Sequence, residues 1–124
     1  MNNHVETIAV RKVIEDYKEG AFKADIEKLK SVFHKDAVMN GYLGPNAVMG
    51  TPAPFIEDIA SAPSMESNGD NFQGEIESIH IEGNVASVVF SETGFRGEAS
   101  LVDFFHLIKD DGKWYIISKA FTTV

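Results

Sequence analysis

The sequence has no cysteine, so disulfide bonds, thiolate metal ligands and cysteine nucleophiles are excluded. It also has no apolar run long enough to cross a bilayer as a helix. Its 124 residues include only 11 lysines and arginines, which are scattered, against 19 aspartates and glutamates. With a net charge of −8 the chain repels a phosphate backbone more than it attracts one, so nucleic acid is not an expected partner.

Motifs that bind cofactors or metals are missing as well. The segment TGFRG at 93–97 lacks the lysine and the following helix of a phosphate-binding loop. The four histidines show no local ligand spacing, and no secretory signal pattern is visible at the N-terminus. We therefore predict a cytoplasmic protein with a single domain over residues 1–124, no cofactor, no metal and no membrane partner.

The first half of the chain has helical patterns. Apolar residues recur at spacings of three and four over residues 5–22, which predicts an amphipathic helix. Asp25 is the predicted N-cap of a second, short helix with Leu29 and Phe33 on its buried face. A short strand at 37–39 and a loop at 40–50 precede a third helix, for which Thr51 is the predicted N-cap and Pro52 the first residue. Residues 61–71 are predicted to form a loop.

The second half is predicted to be sheet. Gly83-Asn84 is a two-residue hairpin signal that pairs Ile81 with Ala86. The segment LVDFFHLIKDDGKWYIISKAF at 101–121 forms a second hairpin with apolar residues on both faces, so the chain must cover one face and a second subunit the other. The predicted fold class is α+β, with three N-terminal helices packed on a curved, mostly antiparallel sheet.

The register of this last hairpin has two alternatives. A three-residue loop ending at Gly112 places Asp103 opposite Lys119, so that the two share a face. A four-residue loop starting at Lys109 shifts the register by one, and His106 then joins the face of Lys119. The sequence does not decide between them.

Several residues along the chain carry a resemblance to a known family. They are Tyr17 with Gly20, Asp25, the segment FHKDA at 33–37, Asp103, Gly112-Lys113-Trp114 and Lys119-Ala120-Phe121. With the order of elements, they make the sequence resemble the NTF2-like superfamily (cystatin-like fold), and within it the small bacterial SnoaL-like and putative lumazine-binding proteins. The superfamily keeps its architecture while changing its chemistry.

The resemblance implies a pocket between the helices and the concave face of the sheet, and a homodimer through the other face. It also implies that Tyr17 lies where ketosteroid isomerase carries its oxyanion-stabilising tyrosine. The catalytic base of that enzyme would fall at or next to Gly41, where Asn40 and Gly41 cannot accept a proton at neutral pH. The resemblance therefore gives no support to the isomerase mechanism.

Three functions remain open. The first is binding of a small organic molecule in an apolar cone, with these candidate ligand-binding residues: Tyr17, Asn40, Tyr42, Asp103, His106 and Lys119. The second is a cofactor-free enzyme of the SnoaL, dehydratase or isomerase kind, in which His106 and Asp103 converge inside the pocket as catalytic candidates. The third is a non-catalytic dimeric interaction module, in which side chains fill the cone.

Overall fold

The computed structural model describes residues 3–124, and these residues form four helices and six strands. The helices are α1 (Asn3–Lys23), α2 (Ile26–Ser31), α3 (Ala53–Ala60) and α4 (Met65–Asn68). The strands are β1 (Phe33–Leu43), β2 (Asn46–Gly50), β3 (Gln73–Glu82), β4 (Val85–Phe95), β5 (Ala99–Asp110) and β6 (Lys113–Thr123). The predicted α+β class is confirmed.

The strands form one curved sheet in the order β2-β1-β6-β5-β4-β3. Neighbours pair antiparallel except β1 and β6, which run parallel. The helices cover the concave face, where the main apolar core lies between helix residues such as Ile14 and sheet residues such as Phe105. The opposite face, here called the open face, carries Val38, Tyr42, Phe104 and Ala120 in the exposed state.

The first two helices form and pack as their sequences predict. Val10, Ile14 and Tyr17 are buried along one stripe of α1. The side chain of Asp25 caps α2 by accepting a hydrogen bond from the Lys28 amide at 3.2 Å, which confirms the predicted N-cap. A Cβ at Gly20 would lie 3.0 Å from the Leu29 backbone nitrogen, so the missing side chain lets the two helices approach closely.

The region between α2 and α3 differs from the prediction. Phe33 begins β1 instead of ending a helix, β1 continues to Leu43, and 46–50 adds an edge strand where a loop was predicted. Pro52, not Thr51, occupies the N-cap position of α3, although the Thr51 hydroxyl accepts a 3.4 Å hydrogen bond from Ala53 N. The short helix α4 falls inside the predicted loop at 61–71. Helical spacing and β-propensity are weak over segments this short, so tertiary pairing decides their state.

The last hairpin adopts neither of the two predicted registers. Asp110 pairs with Lys113 across a two-residue turn, because both Asp111 and Gly112 take positive φ, 53° and 78°. An extra residue in β6, Ile117, then shifts the register, and Asp103 lies opposite Phe121. Asp103 and Lys119 nevertheless point to the same concave face, since Phe105 pairs with Lys119 two residues further along β5.

None of the helices between Asn3 and Val124 combines the length and the apolar character that a bilayer crossing requires.

Candidate functional site

A cavity of about 240 Å³ opens between α3, the β1–β2 hairpin and the concave ends of β4, β5 and β6. Its walls are mostly apolar: Met39, Leu43, Val48, Pro54, Phe55, Phe95, Leu101 and Phe121. Its polar lining residues are Asp58, Glu92 and Lys119. A larger open groove of about 610 Å³ follows α2, α3 and the start of β1, but its polar side chains are exposed or half-buried. We therefore place the candidate site in the smaller cavity, which contains buried ionisable groups.

Lys119 is the cation of this cavity. Its side chain is only 4% exposed, and its ammonium nitrogen Nζ donates a 2.6 Å hydrogen bond to the Tyr17 hydroxyl. The same nitrogen lies 4.6 Å from the ring centre of Phe55, 4.9 Å from that of Tyr17 and 5.2 Å from that of Phe121. Aromatic ring faces attract cations, so the three rings replace part of the hydration that the ammonium loses on burial.

Two buried carboxyl groups lie beside the lysine and the tyrosine. Asp103 is fully buried and Glu92 is 3% exposed. With both groups ionised, three of their oxygens, both of Asp103 and Oε1 of Glu92, have no hydrogen-bond partner among the described residues. Two ionised carboxylates cannot hydrogen-bond to each other, so a contact between these groups requires a proton on one of them.

Burial favours that proton on Glu92. Burial raises the pKa of Glu92 to about 9, aided by hydrogen bonding to Asp103 and by the charge of Asp103, while the charge of Lys119 lowers it. Glu92 is therefore neutral at pH 7, and its proton gives Asp103 a hydrogen-bond donor. Burial also raises the pKa of Tyr17, with the charges of Glu92 and Asp103 acting in the same direction, so Tyr17 stays a neutral phenol. We call Tyr17, Glu92, Asp103 and Lys119 the polar cluster.

Three of the predicted site residues belong to this cluster. Tyr17 reaches it from α1, Asp103 from β5 and Lys119 from β6. Asp103 and Lys119 share a face, but they are not each other's hydrogen-bond partners in residues 3–124, because Lys119 donates to Tyr17.

The other three predicted residues lie elsewhere. His106 is exposed and pairs with Ser118 on the open face, so the predicted convergence of His106 and Asp103 inside the pocket is wrong. Tyr42, 48% exposed, alternates with the cavity-lining Leu43 and points to the open face. Asn40 alternates with Met39 in the same way, and its Oδ1 accepts a 3.0 Å hydrogen bond from Gly50 N.

Sequence analysis missed Glu92 and Phe55 as site residues. Glu92 continues the alternation of Val88 and Phe90 on the buried face of β4, so period 2 alone places a carboxyl group among core residues. Phe55 lies in the predicted third helix, and no local pattern shows that its ring lies over Lys119.

The structure leaves no room for a side chain at Gly41, one of the two positions where the isomerase base would fall. A Cβ at Gly41 would lie 2.1 Å from the Phe121 carbonyl oxygen and 2.6 Å from its ring. Phe121 thus occupies the space that a side chain at position 41 would need. No group of three or more histidine, aspartate or glutamate side chains within residues 3–124 is arranged to hold a metal ion.

Comparisons with known proteins agree with this architecture. Two solved structures of NTF2-like proteins of unknown function are similar over almost their whole length. The one from Shewanella baltica has 26% identity, a TM-score of 0.88 and coverage of 100% of this chain and 98% of its own. The one from Methylobacillus flagellatus has 28% identity, a TM-score of 0.85 and coverage of 96% and 92%.

A more distant structure shows the fold alone. A ketosteroid isomerase-like protein from Erwinia carotovora atroseptica has 18% identity and a TM-score of 0.67, over 94% of this chain and 95% of its own.

No curated protein sequence matches the chain. The model of the family described as "Putative lumazine-binding" matches residues 5–122. The chain therefore belongs to this family and has the NTF2-like, cystatin-like fold.

Proposed function

We propose that the 240 Å³ cavity binds a small organic molecule. The observation that carries the proposal is the combination of apolar walls with a buried lysine and glutamic acid that line the same cavity. Binding sites for small molecules are typically apolar hollows with a few convergent polar groups. Ligand pockets commonly span about 300–1,000 Å³. This cavity, at about 240 Å³, is smaller, so it suits a small molecule of one or two rings.

The buried polar cluster supports a binding role over a purely structural one. Burial of an ionised side chain costs several kcal/mol unless good partners compensate it. Here at least one oxygen of Asp103 stays without a donor even when Glu92 donates its proton, so apolar residues of the same volume would stabilise the fold at least as well. Costly buried polar groups beside a cavity fit a binding site better than a purely structural role. The open cavity also weighs against an interaction module whose cone is filled by side chains.

Titration followed by NMR tests the proposal directly. The probes are lumazine, which the family description names, and a panel of mono- and bicyclic aromatic molecules. We expect at least one probe to shift backbone amide signals at Leu43, Phe55 and Leu101, which line the cavity. A panel that shifts no cavity signal at millimolar concentration would contradict the proposal.

Substitutions at two equally exposed positions provide the matched control. Leu43 and Tyr42 are neighbours on β1 and each is 48% exposed, but only Leu43 lines the cavity. Leu43→Trp should obstruct the mouth and weaken binding of the probe at least tenfold. Tyr42→Trp should leave the affinity within about twofold of wild type, and it also tests whether Tyr42 contributes to binding.

We also propose that a second copy of the chain covers the open face. Apolar side chains are exposed at its centre, with Phe104 at 51%, Val38 at 42% and Tyr42 at 48%. They lie on adjoining strands of one continuous surface, because β1, β6 and β5 are neighbours in the sheet. A homodimer through the sheet would bury this surface.

A further inference from the structure

Counting hydrogen bonds in the polar cluster shows that one acceptor is missing a donor. Three carboxyl oxygens are buried without a partner: Oε1 of Glu92 and both oxygens of Asp103. A single proton between the two groups satisfies two oxygens, the one that carries it and the one that accepts it. At least one oxygen of Asp103 is then left without a donor, and an unsatisfied buried acceptor costs about 1–3 kcal/mol.

The acceptor that a ligand can reach belongs to Glu92. Glu92 lines the cavity, whereas Asp103 is fully buried behind it and does not. The carboxylate of Asp103 holds the Glu92 proton on its own side, which leaves the other oxygen of Glu92 as a carbonyl-type acceptor. A ligand in the cavity therefore meets an acceptor at β4.

The donor that a ligand can reach belongs to Lys119. Its ammonium group has three N–H bonds, and Tyr17 Oη accepts one of them at 2.6 Å. The ammonium also contacts the ring faces of Phe55, Tyr17 and Phe121. These rings stabilise its charge but are weak hydrogen-bond acceptors, so its other N–H groups can donate to a ligand. Lys119 lines the same cavity as Glu92 and offers a donor from β6.

The charges in the cavity wall and directly behind it already balance, which favours a neutral ligand. The ammonium of Lys119 and the carboxylate of Asp103 balance each other, and Glu92 and Tyr17 are neutral at pH 7. At the mouth, the Asp58 carboxylate accepts a 2.7 Å hydrogen bond from Arg96, which balances its charge. An added ionic ligand would leave an uncompensated charge among the ring side chains.

From these contacts we infer that the ligand is a neutral molecule with an N–H donor next to a carbonyl acceptor, as in a lactam or a cyclic imide. Its carbonyl oxygen accepts from Lys119 and its N–H donates to Glu92, while its ring lies against the apolar walls. This inference rests on the proposed binding function and specifies the class of molecule that the same cavity takes.

Three probes of similar size separate the two hydrogen bonds. 2-Quinolone offers both the N–H and the carbonyl, 1-methyl-2-quinolone only the carbonyl, and naphthalene neither. Affinities for the full-length protein are measured at pH 7 by NMR titration. We expect 2-quinolone to bind at least tenfold more tightly than its N-methyl derivative, because the latter leaves the Glu92 oxygen unpaired. Both should bind more tightly than naphthalene.

Variants at the two polar lining residues assign each hydrogen bond. Glu92→Leu should reduce the preference for 2-quinolone over the N-methyl compound to less than twofold. Glu92→Gln, which keeps a carbonyl acceptor at the same place, should retain most of the preference, and binding of naphthalene to Glu92→Leu with the wild-type affinity would show that this variant is folded. Lys119→Met should weaken binding of both quinolones, because their carbonyl loses its donor, while 2-quinolone keeps its preference over the N-methyl compound.

The outcomes separate this inference from the proposal beneath it. Equal binding of 2-quinolone and its N-methyl derivative would overturn the inferred ligand class, while cavity binding would stand. A preference that survives Glu92→Leu would also overturn it. If none of the three probes binds and the panel used to test the proposed function fails as well, both the inference and the proposed function are wrong.

Discussion

Among single residues, Glu92 makes the stability of the fold depend on pH. Its pKa is about 9 in the folded protein against an ordinary value of 4.5. Between these two values the folded state holds a proton that the unfolded state has released, so rising pH favours unfolding. We expect the contribution of Glu92 to be fully present below about pH 4.5. Above that it is lost by at most about 1.4 kcal/mol per pH unit, up to about pH 9. Urea denaturation at intervals from pH 5 to pH 9 measures this slope.

Two glutamine substitutions isolate the effect from other titrating groups. Glu92→Gln should flatten the dependence of the unfolding free energy on pH, because the amide does not titrate. Glu75→Gln makes the same chemical change on an exposed position of β3 and should leave the slope of the wild type intact. A wild type and a Glu92→Gln variant with parallel pH profiles would show that Glu92 is ionised in the folded protein.

The contributions of Lys119 and Asp103 to the free energy of unfolding should be coupled, although Lys119 donates its short hydrogen bond to Tyr17. Both are buried and carry the balancing charges of the polar cluster. Lys119→Met keeps the apolar stem but leaves the carboxylate uncompensated, at an expected cost of about 3 kcal/mol. Asp103→Asn removes that charge, so the double variant should lose at least about 1 kcal/mol less than the sum of the single losses.

A double-mutant cycle from equilibrium urea unfolding at pH 7 gives this coupling. All three variants must unfold with the m-value of the wild type for the comparison to hold. Losses that add within about 0.5 kcal/mol would mean that the two charges do not interact.

At the level of elements, the packing of β1 on β6 depends on the glycine at position 41. A Cβ there would lie 2.1 Å from the Phe121 carbonyl oxygen, a backbone atom that cannot move without disturbing the strand pair. Gly41→Ala should therefore destabilise the protein by about 1–3 kcal/mol, the usual cost of overpacking. Thermal and urea unfolding both report the loss.

The neighbouring position supplies the control. Asn40 pairs with Ala120 on the open face, and its side chain makes one exposed hydrogen bond, to Gly50 N. Asn40→Ala should cost about 1 kcal/mol or less, the net worth of one such bond. A Gly41→Ala variant as stable as Asn40→Ala would contradict the close packing of Phe121 against β1.

Elements with strong local signals could be predicted from the sequence. The stripe of α1, the Asp25 cap and the Gly83-Asn84 hairpin, with Ile81 opposite Ala86 and Ile79 opposite Val88, are all present. Each depends on contacts within about ten residues, which the local pattern contains. The edge strand 46–50 has no buried residue, so it lacks the alternation that would have predicted it.

The last hairpin shows where local reasoning stops. The segment Lys109–Lys113 is compatible with several loop lengths, and the two-residue turn became possible because Asp111 adopts a positive φ that is uncommon outside glycine. The bulge at Ile117 is set by the packing of β6 between two strands, which no short window contains. The contribution of Glu92 to the site depends in turn on this long-range pairing, which brings Lys119 and Asp103 onto its face.

For the whole molecule, the exposed open face predicts a dimer. Phe104 is 51% exposed at the centre of this face and has Ala120 and Val89 as its cross-strand neighbours. If a second copy packs there, wild-type protein should sediment as a dimer at micromolar concentration. Phe104→Ser should raise the dissociation constant of the dimer at least tenfold, because interface energy concentrates in buried aromatic residues.

The matched control is an apolar residue of equal exposure in the helical layer. Ile8 on α1 is 56% exposed, so Ile8→Ser removes a similar apolar surface far from the sheet and should leave the dimer intact. A wild type that sediments as a monomer would overturn the account of the doubly apolar hairpin. Equal weakening of the dimer by both variants would place the interface on the helices instead.

The oligomeric state also affects the cavity, because Leu43 at its mouth and Tyr42 on the open face are adjacent in β1. A dimer through this face would therefore restrain the strand that lines the cavity mouth, and dilution into the monomer range should weaken binding of the probe.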